Sequence, residues 1–130
     1  MAVLIDTSVL IDAERRGLSL SRAIGERDRA ISVVTASELL HGVHRARSGT
    51  ARARRSAFVE HLLSAVDPLP ITTAVARAHA EAWARLEEEG NLIGAHDLWI
   101  AATALSHGMD VATTNARDFN RVPGLTVVPI

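Results

Sequence analysis

Short apolar runs alternate with amphipathic stretches along the whole chain. The runs at residues 3–5, 30–34, 110–113 and 125–128 are rich in β-branched side chains and predict buried strands. Between the strands, apolar residues recur at helical spacing and glycines stand at the ends of several stretches. The predicted helices span residues 7–14, 18–27, 35–47, 54–66, 73–89 and 96–107.

This order of elements predicts an α/β fold. Strands that alternate with helices favour a mostly parallel sheet covered on both faces, that is, a three-layer α/β/α sandwich with short strands. The chain has 130 residues and contains no internal repeat, low-complexity segment or long linker. We therefore expect one domain over residues 1–130.

Composition excludes several classes of function. All fourteen basic residues are arginine, and the formal net charge is −1. The absence of lysine excludes phosphotransfer receivers, aspartate-nucleophile phosphatases and P-loop nucleotidases, which need a lysine at the phosphoryl group. The absence of cysteine excludes disulfides and thiolate zinc sites. The chain starts without a signal-like segment and has no apolar run of about 18–20 residues, so we expect a soluble cytoplasmic protein without membrane contact.

Acidic side chains follow the predicted strands. Asp6 comes directly after the first strand, Glu38 lies one turn into the helix after the second, and Asp97 opens the helix that leads into the third. Asn115 and Asp118 follow the third strand. Ligands of open α/β sheets bind at the carboxyl ends of the strands, so we expect these groups to meet at one edge of the sheet.

Each of these residues also has a purely structural interpretation. Asp6 suits a helix N-cap, Glu38 would complete a capping box with Thr35, and Asp97 complements a helix dipole. Yet converging carboxylates repel each other by about 4 kcal/mol per pair at 4 Å and an effective dielectric constant near 20. A divalent cation would reverse the sign of that energy. Carboxylates of this kind suit Mg²⁺, or Mn²⁺ in its place, with Asp6 and Asp97 as inner ligands and Glu38 bound directly or through water. Such an ion activates water for phosphodiester hydrolysis.

Four segments resemble the motifs of a known family. They are LIDTSVLI at residues 4–11, VTASELLHG at 34–42, DLWIAATA at 97–104 and TTNARDFNRVPGL at 113–125. Together they look like PIN-domain ribonucleases, and the last segment resembles the ending of VapC-type toxins. The resemblance implies a PIN-like fold, Mg²⁺- or Mn²⁺-dependent RNA cleavage, a VapB-type antitoxin partner and a homodimer. It further implies that operator DNA is bound only through the antitoxin complex.

The same resemblance assigns the acidic positions to Asp6, Glu38 and Asp97. At the fourth position, where the family often has Asp, this chain has Asn115, and whether Asp118 compensates, caps a helix or contributes nothing stays open. Thr7 and Ser8 are candidate substrate or partner contacts. An arginine-rich segment is a second candidate contact, with RNA backbone or an acidic antitoxin segment as ligand, or else a solvated loop. Its members are Arg45, Arg47, Arg52, Arg54 and Arg55.

Two functions are therefore consistent with the sequence. The first is a metal-dependent endoribonuclease acting as a toxin. The alternative is a catalytically impaired PIN-like binding module that acts within an antitoxin and operator complex. Asn115 is the one feature that supports the alternative, since its amide supplies an oxygen ligand but no charge.

Overall fold

A computed structural model describes residues 2–130 of the chain. Within that range four short strands form one sheet in the order β2-β1-β3-β4, and every neighbouring pair is parallel. The strands are β1 (Val3–Ile5), β2 (Arg29–Ala30), β3 (Asp110–Thr113) and β4 (Val127–Pro129). β1 and β3 occupy the centre, where both faces of the sheet are covered, which explains why β1 consists of apolar residues only.

Helices pack on both faces of this sheet. Those of the described range are α1 (Thr7–Arg16), α2 (Leu20–Ile24), α3 (Val33–His44), α4 (Gly49–Ala65), α5 (Thr73–Glu89), α6 (Ala95–His107) and α7 (Ala116–Phe119). Successive residues of β1 point to opposite faces: Val3 and Ile5 pack with α1–α4, whereas Leu4 packs with α5, α6 and α7. The predicted three-layer α/β/α sandwich is confirmed. That residues 1–130 form a single domain stays a prediction.

The predicted strand at 30–34 is wrong beyond Ala30. Ser32 adopts an extended backbone and its side chain accepts a hydrogen bond from the backbone N–H of Thr35, so α3 already begins at Val33. Ser32 is therefore the N-cap, and Thr35 is the third residue of the helix. The predicted capping box of Thr35 and Glu38 is wrong for the same reason.

Other predicted boundaries differ by up to five residues. α2 is shorter than predicted, α4 begins five residues earlier because Ser48 caps it, and β4 begins two residues later and ends one residue later. β1, α5 and β3 have the predicted bounds, and α5 ends at Gly90, whose φ of 67° is the left-handed conformation that glycine adopts easily. No helix between residues 2 and 130 combines the length and apolarity needed to cross a membrane.

Candidate functional site: a carboxylate rim

Four carboxylates from distant parts of the chain influence one another at the carboxyl ends of β1 and β3. The charges of Asp6, Glu38 and Asp118 all raise the pKa of Asp97. Asp6 follows β1, Glu38 lies in α3, Asp97 lies in the first turn of α6, and Asp118 lies in α7. We call these four side chains the carboxylate rim. The prediction that the acidic residues gather at one edge of the sheet agrees with this arrangement.

Asp6 is held by hydroxyl groups. Its side chain is 4% exposed, and its Oδ2 accepts hydrogen bonds from Ser8 Oγ and Thr113 Oγ1, each at 2.7 Å. The backbone N–H of Thr114 donates to Ser8 Oγ, and that of Asn115 donates to Thr113 Oγ1. Asp6 stands at the N-cap position of α1 but its side chain makes no capping hydrogen bond. The capping interpretation of Asp6 is therefore wrong, and its carboxylate faces β3 instead.

Glu38 is held at one oxygen by a threonine. Thr7 Oγ1 donates to Glu38 Oε1 at 2.7 Å, and Nδ1 of His96 lies 3.5 Å from Glu38 Oε2. Oε1 therefore faces the buried side of the rim. Oε2 faces His96, whose side chain is largely exposed.

Asp97 is the carboxyl group of the rim whose pKa its surroundings shift. Its pKa is raised from 3.8 to about 6, first by burial and then by the charges of Asp6, Glu38 and Asp118, with an opposing effect of His96. A carboxyl group in a pocket lined by other carboxylates loses solvation and meets like charge, and both effects favour the neutral acid. Gly94 is the N-cap of α6 and would bring an added Cβ within 3.8 Å of Asp97 Oδ2.

A side-chain hydrogen bond joins Asn115 and Asp118. The side-chain amide of Asn115 donates to Asp118 Oδ2 at 3.0 Å, and the side chain of Asn115 does not cap α7. Because Asp118 raises the pKa of Asp97, its charge reaches the rim. The rim therefore has a fourth carboxylate, supplied by Asp118 three residues after Asn115.

The donor set of the rim fits a hard divalent cation. Carboxylate oxygens are the ligands that Mg²⁺ uses in proteins, usually one or two of them together with several waters. Among residues 2–130, however, no three His, Asp or Glu groups stand as close together as a complete coordination shell requires. These residues suit an ion that keeps part of its water shell.

The arginine-rich segment divides into two parts. Arg45, Arg47 and Arg55 line an open groove of about 770 Å³ that also reaches Thr7 and Glu38. Arg15, which the sequence did not single out, lines the same groove. Of the described residues lining this groove, Glu38 alone is acidic.

The other two arginines of the segment are engaged elsewhere. Arg54 Nε lies 3.3 Å from Glu14 Oε1 and forms an ion pair with it, while Arg52 donates to the carbonyl oxygen of Ala46 at 3.4 Å. We therefore retain Arg45, Arg47 and Arg55 as groove residues. Arg55 is itself anchored, because it donates to the carbonyl oxygen of Gly42 at 3.1 Å.

Comparison with known proteins agrees with this geometry. The model of the PIN domain family matches residues 3–125. The chain belongs to the PIN domain family. Ribonuclease VapC1 of Rickettsia felis is 35% identical over 130 residues, which cover all of this chain and 97% of the relative. The tRNA(fMet)-specific endonuclease VapC of Salmonella typhimurium is 34% identical over 114 residues, or 88% of this chain and 80% of that protein. This PIN-domain chain is therefore similar to VapC proteins over nearly its full length.

Solved structures give the same result. A member of the VapBC family of toxin–antitoxin systems, VapBC-5 from Mycobacterium tuberculosis, matches with a TM-score of 0.83 and 31% identity, covering 99% of this PIN-domain chain and 98% of that chain. DNA-bound VapBC from Salmonella typhimurium matches with a TM-score of 0.87 and 28% identity, covering 98% and 96%. The predicted membership in the VapC group of PIN domains is confirmed.

Sequence reasoning missed the hydroxyl groups that support the rim. Thr113 closes β3 and donates to Asp6, and Thr35 lies next to Thr7 across 28 residues of sequence. A polar residue within an otherwise apolar strand or helix face is the signal that could have found both. Thr35 and Thr113 are fully buried, where a hydroxyl group must have a partner.

Proposed function

We propose that this PIN-domain chain is a Mg²⁺-dependent endoribonuclease, the toxin of a toxin–antitoxin pair. The observation that carries the proposal is the convergence of four carboxylates at the carboxyl ends of β1 and β3, where burial and the charges of Asp6, Glu38 and Asp118 raise the pKa of Asp97 to about 6. Perturbed carboxyl groups at the carboxyl ends of parallel strands are typical of functional sites. The similarity to proteins named ribonuclease and endonuclease VapC supports RNA as the substrate.

The chain's own residues have distinct parts in this proposal. A bound Mg²⁺, or Mn²⁺ in its place, would supply positive charge at the scissile phosphate and make water acidic enough to attack it at neutral pH. Asp6 and Asp97 would hold the ion, and Glu38 would bind it directly or through water. Ser8 and Thr113 fix Asp6 by hydrogen bonds to Oδ2. Asp118, oriented by Asn115, would add negative charge at the outer side of the rim.

The groove beside the rim is the proposed path of the RNA backbone. Its arginines face a volume that continues to Glu38, so a strand whose scissile phosphate lies at the rim would place neighbouring phosphates near Arg45 and Arg47. Guanidinium groups bind phosphate oxygens through charge-assisted hydrogen bonds. This path explains how a chain of net charge −1 can bind RNA: the positive charge is concentrated where the substrate lies.

Partners of the relatives support the regulatory part of the proposal. The solved relatives are complexes named VapBC, one of them bound to DNA. We propose that a VapB-type antitoxin neutralises this chain, that the toxin itself forms a homodimer, and that operator DNA is bound only through the antitoxin complex. Co-expression with the reading frame next to its gene should suppress toxicity. Toxicity that persists in the presence of every neighbouring frame would argue against the pairing.

Metal-dependent RNA cleavage by the purified protein is the decisive experiment. We expect cleavage with Mg²⁺, none with EDTA, and loss of at least a hundredfold in rate for Asp6→Asn and for Asp97→Asn. Asp67→Asn is the matched control, because Asp67 is exposed and has no effect on the pKa of Asp97. Full activity of either rim variant, or cleavage that EDTA does not affect, would contradict the proposal. A folded wild type that binds antitoxin but cleaves no RNA would favour the binding-module alternative.

The groove can be tested separately from the chemistry. In an Asp6→Asn background, Arg45→Gln with Arg47→Gln should weaken RNA binding and reduce the slope of log K against log salt by about 0.7 per lost phosphate contact. Arg54→Gln is the matched control, because Arg54 belongs to the same segment but pairs with Glu14. An equal effect of the control, or an effect on antitoxin binding alone, would exclude the groove as the RNA path.

A further inference from the structure

A chain of buried hydroxyl groups ends on the carboxylate of Glu38. Ser32 Oγ lies 3.3 Å from Thr35 Oγ1, Thr35 Oγ1 lies 3.1 Å from Thr7 Oγ1, and Thr7 Oγ1 lies 2.7 Å from Glu38 Oε1. Ser32 and Thr35 are 0% exposed and Thr7 is 7% exposed. Competition from water is therefore small along the whole path, and the hydrogen bonds act in a medium of low dielectric constant.

The direction of these hydrogen bonds follows from the number of protons. Each hydroxyl group donates one, and the carboxylate of Glu38 can only accept. Ser32 donates to Thr35, while the single proton of Thr7 is shared between Thr35 Oγ1 at 3.1 Å and Glu38 Oε1 at 2.7 Å, with the shorter bond to the carboxylate. Ser32 Oγ in turn accepts the backbone N–H of Thr35 at 3.0 Å. Thr35 Oγ1 thus accepts from both Ser32 and Thr7, so it positions the hydroxyl group that binds Glu38, and the backbone N–H of Thr35 in turn fixes Ser32.

The start of this chain is rigid because the backbone around Ser32 is bound on both sides. The carbonyl oxygen of Ile31 accepts from the N–H of Leu69, and the N–H of Val33 donates to the carbonyl oxygen of Leu69, both at 2.9 Å. Ser32 is also the N-cap of α3, the helix that carries Glu38. One residue thus connects the sheet edge, the start of the helix and the hydroxyl chain.

We propose that Ser32, Thr35 and Thr7 form a hydroxyl relay that holds the side chain of Glu38 in one orientation. In this orientation Oε1 is hydrogen-bonded to the buried Thr7, and Oε2 faces His96 on the open side of the carboxylate rim. Ser32 and Thr35 are positioning residues, since they act on Glu38 through Thr7. A network that served packing alone would need no carboxylate at its end: the fully buried hydroxyl of Thr103 donates to the carbonyl oxygen of Trp99 within α6. Only one part of this inference rests on the proposed function, namely that Glu38 takes part in binding the ion.

Thr35→Val tests the relay, because valine keeps the shape of threonine and removes its hydroxyl group. Thr35→Ser restores the hydroxyl group, and Thr103→Val is the matched control for loss of an equally buried hydroxyl. In metal-free protein with ¹³C-labelled glutamate, we expect the Glu38 side-chain signal to shift or split in Thr35→Val. The signal should stay at its wild-type position in Thr35→Ser and in Thr103→Val.

Ion binding provides a second readout. Mn²⁺ affinity, measured by calorimetry, should fall about tenfold in Thr35→Val and stay within about twofold of the wild type in Thr35→Ser, because residues that orient metal ligands typically contribute a factor of 10–100. A Glu38 signal unchanged in Thr35→Val, or equally changed in Thr103→Val, would overturn the relay. If Thr35→Val does not fold, Thr7→Val against Thr7→Ser decides by the same measurements. A wild type that binds no divalent ion would refute the proposed function, while the metal-free signal would still decide the relay.

Discussion

Replacing a candidate metal ligand should make the metal-free protein more stable. In the folded chain the pKa of Asp97 is raised from 3.8 to about 6, so at neutral pH the ionised carboxylate is held in an unfavourable place. Two pKa units at about 1.4 kcal/mol each set a ceiling of about 3 kcal/mol. Asp97 is partly exposed, and solvent screening reduces this value. The dipole of α6 favours the charge by about 0.3–1 kcal/mol. We expect Asp97→Asn to raise the free energy of unfolding by about 1–2 kcal/mol at pH 7.5.

The sign of the pH dependence follows from the direction of the shift. The pKa of Asp97 is higher in the folded than in the unfolded chain. The destabilisation of the folded chain by ionised Asp97 is therefore absent below about pH 4 and grows as the pH rises to about 6. The gain from Asp97→Asn should therefore vanish near pH 4 and be complete above about pH 6.5. For 130 residues, about 1–2 kcal/mol corresponds to an increase in Tm of about 4–7 °C.

Urea unfolding in EDTA between pH 4 and pH 8 is the assay, with Asp67→Asn as the control that should stay within about 0.5 kcal/mol of the wild type. Saturating Mg²⁺ should reverse the order of stability, because it binds the folded wild type and adds about 2.7 kcal/mol at a hundredfold excess over Kd. A variant less stable than the wild type in EDTA at pH 7.5 would refute the reasoning. So would a gain that does not change with pH.

Three further outcomes are expected. Mg²⁺ affinity of the wild type, followed by calorimetry from pH 5 to pH 8, should fall about tenfold per unit below about pH 6 as Asp97 takes up a proton, and a flat profile would contradict the assignment. Leu4→Ala should cost about 2–5 kcal/mol in urea unfolding, because Leu4 is fully buried in the sheet. Gly90→Ala should lower the free energy of unfolding by about 1 kcal/mol because Gly90 has a φ of 67°. Gly42→Ala should raise it by about 0.5–1 kcal/mol, because Gly42 lies inside α3 and has open space around its Cβ position. Thermal unfolding measures both changes in stability, and a change of the same sign in both variants would contradict the prediction.

The bounds of β1, β3 and α5 could be predicted because burial and helix capping, which are visible in the local sequence, determine them. β1 is covered on both faces and is apolar throughout, Val111 and Ala112 form the buried apolar middle of β3, and α5 has a capping threonine at one end and Gly90 at the other. The start of α3 could not be predicted by the same reasoning. Val33 and Val34 read as the end of a strand, but the side chain of Ser32 supplies the first helical acceptor and makes them the first turn of a helix.

The helical spacing of Val75, Ala78, Ala82, Trp83 and Leu86 predicts one apolar face of α5, and the structure confirms this prediction only in part. Val75, Ala82 and Leu86 are buried as expected, but Trp83 is 48% exposed and His79 takes its place in the interior. His79 stacks on Trp99 of α6 with ring centroids 3.5 Å apart, and burial lowers its pKa. A partner on another helix decides this position, and periodicity within α5 contains no information about that partner.

The candidate site could also be predicted only in part. Strand-end reasoning found Asp6, Glu38 and Asp97, because it needs only the order of strands and the position of acids. It did not find Thr35 or Thr113 as supports, since their partners are 28 and 107 residues away in sequence. A polar residue in an apolar stretch indicates that a hydrogen-bond partner exists, but which residue that partner is depends on the finished sheet.

The pairing of β1 with β3 also has a consequence for the time at which activity can arise. Asp6 leaves the ribosome well before its hydrogen-bond donor Thr113, which is made more than a hundred residues later. Parallel strands so far apart in sequence pair late in folding. A nascent chain therefore cannot assemble the site while most of it is still being translated. An RNA-cleaving protein organised in this way would stay inactive until both central strands have been made and have paired.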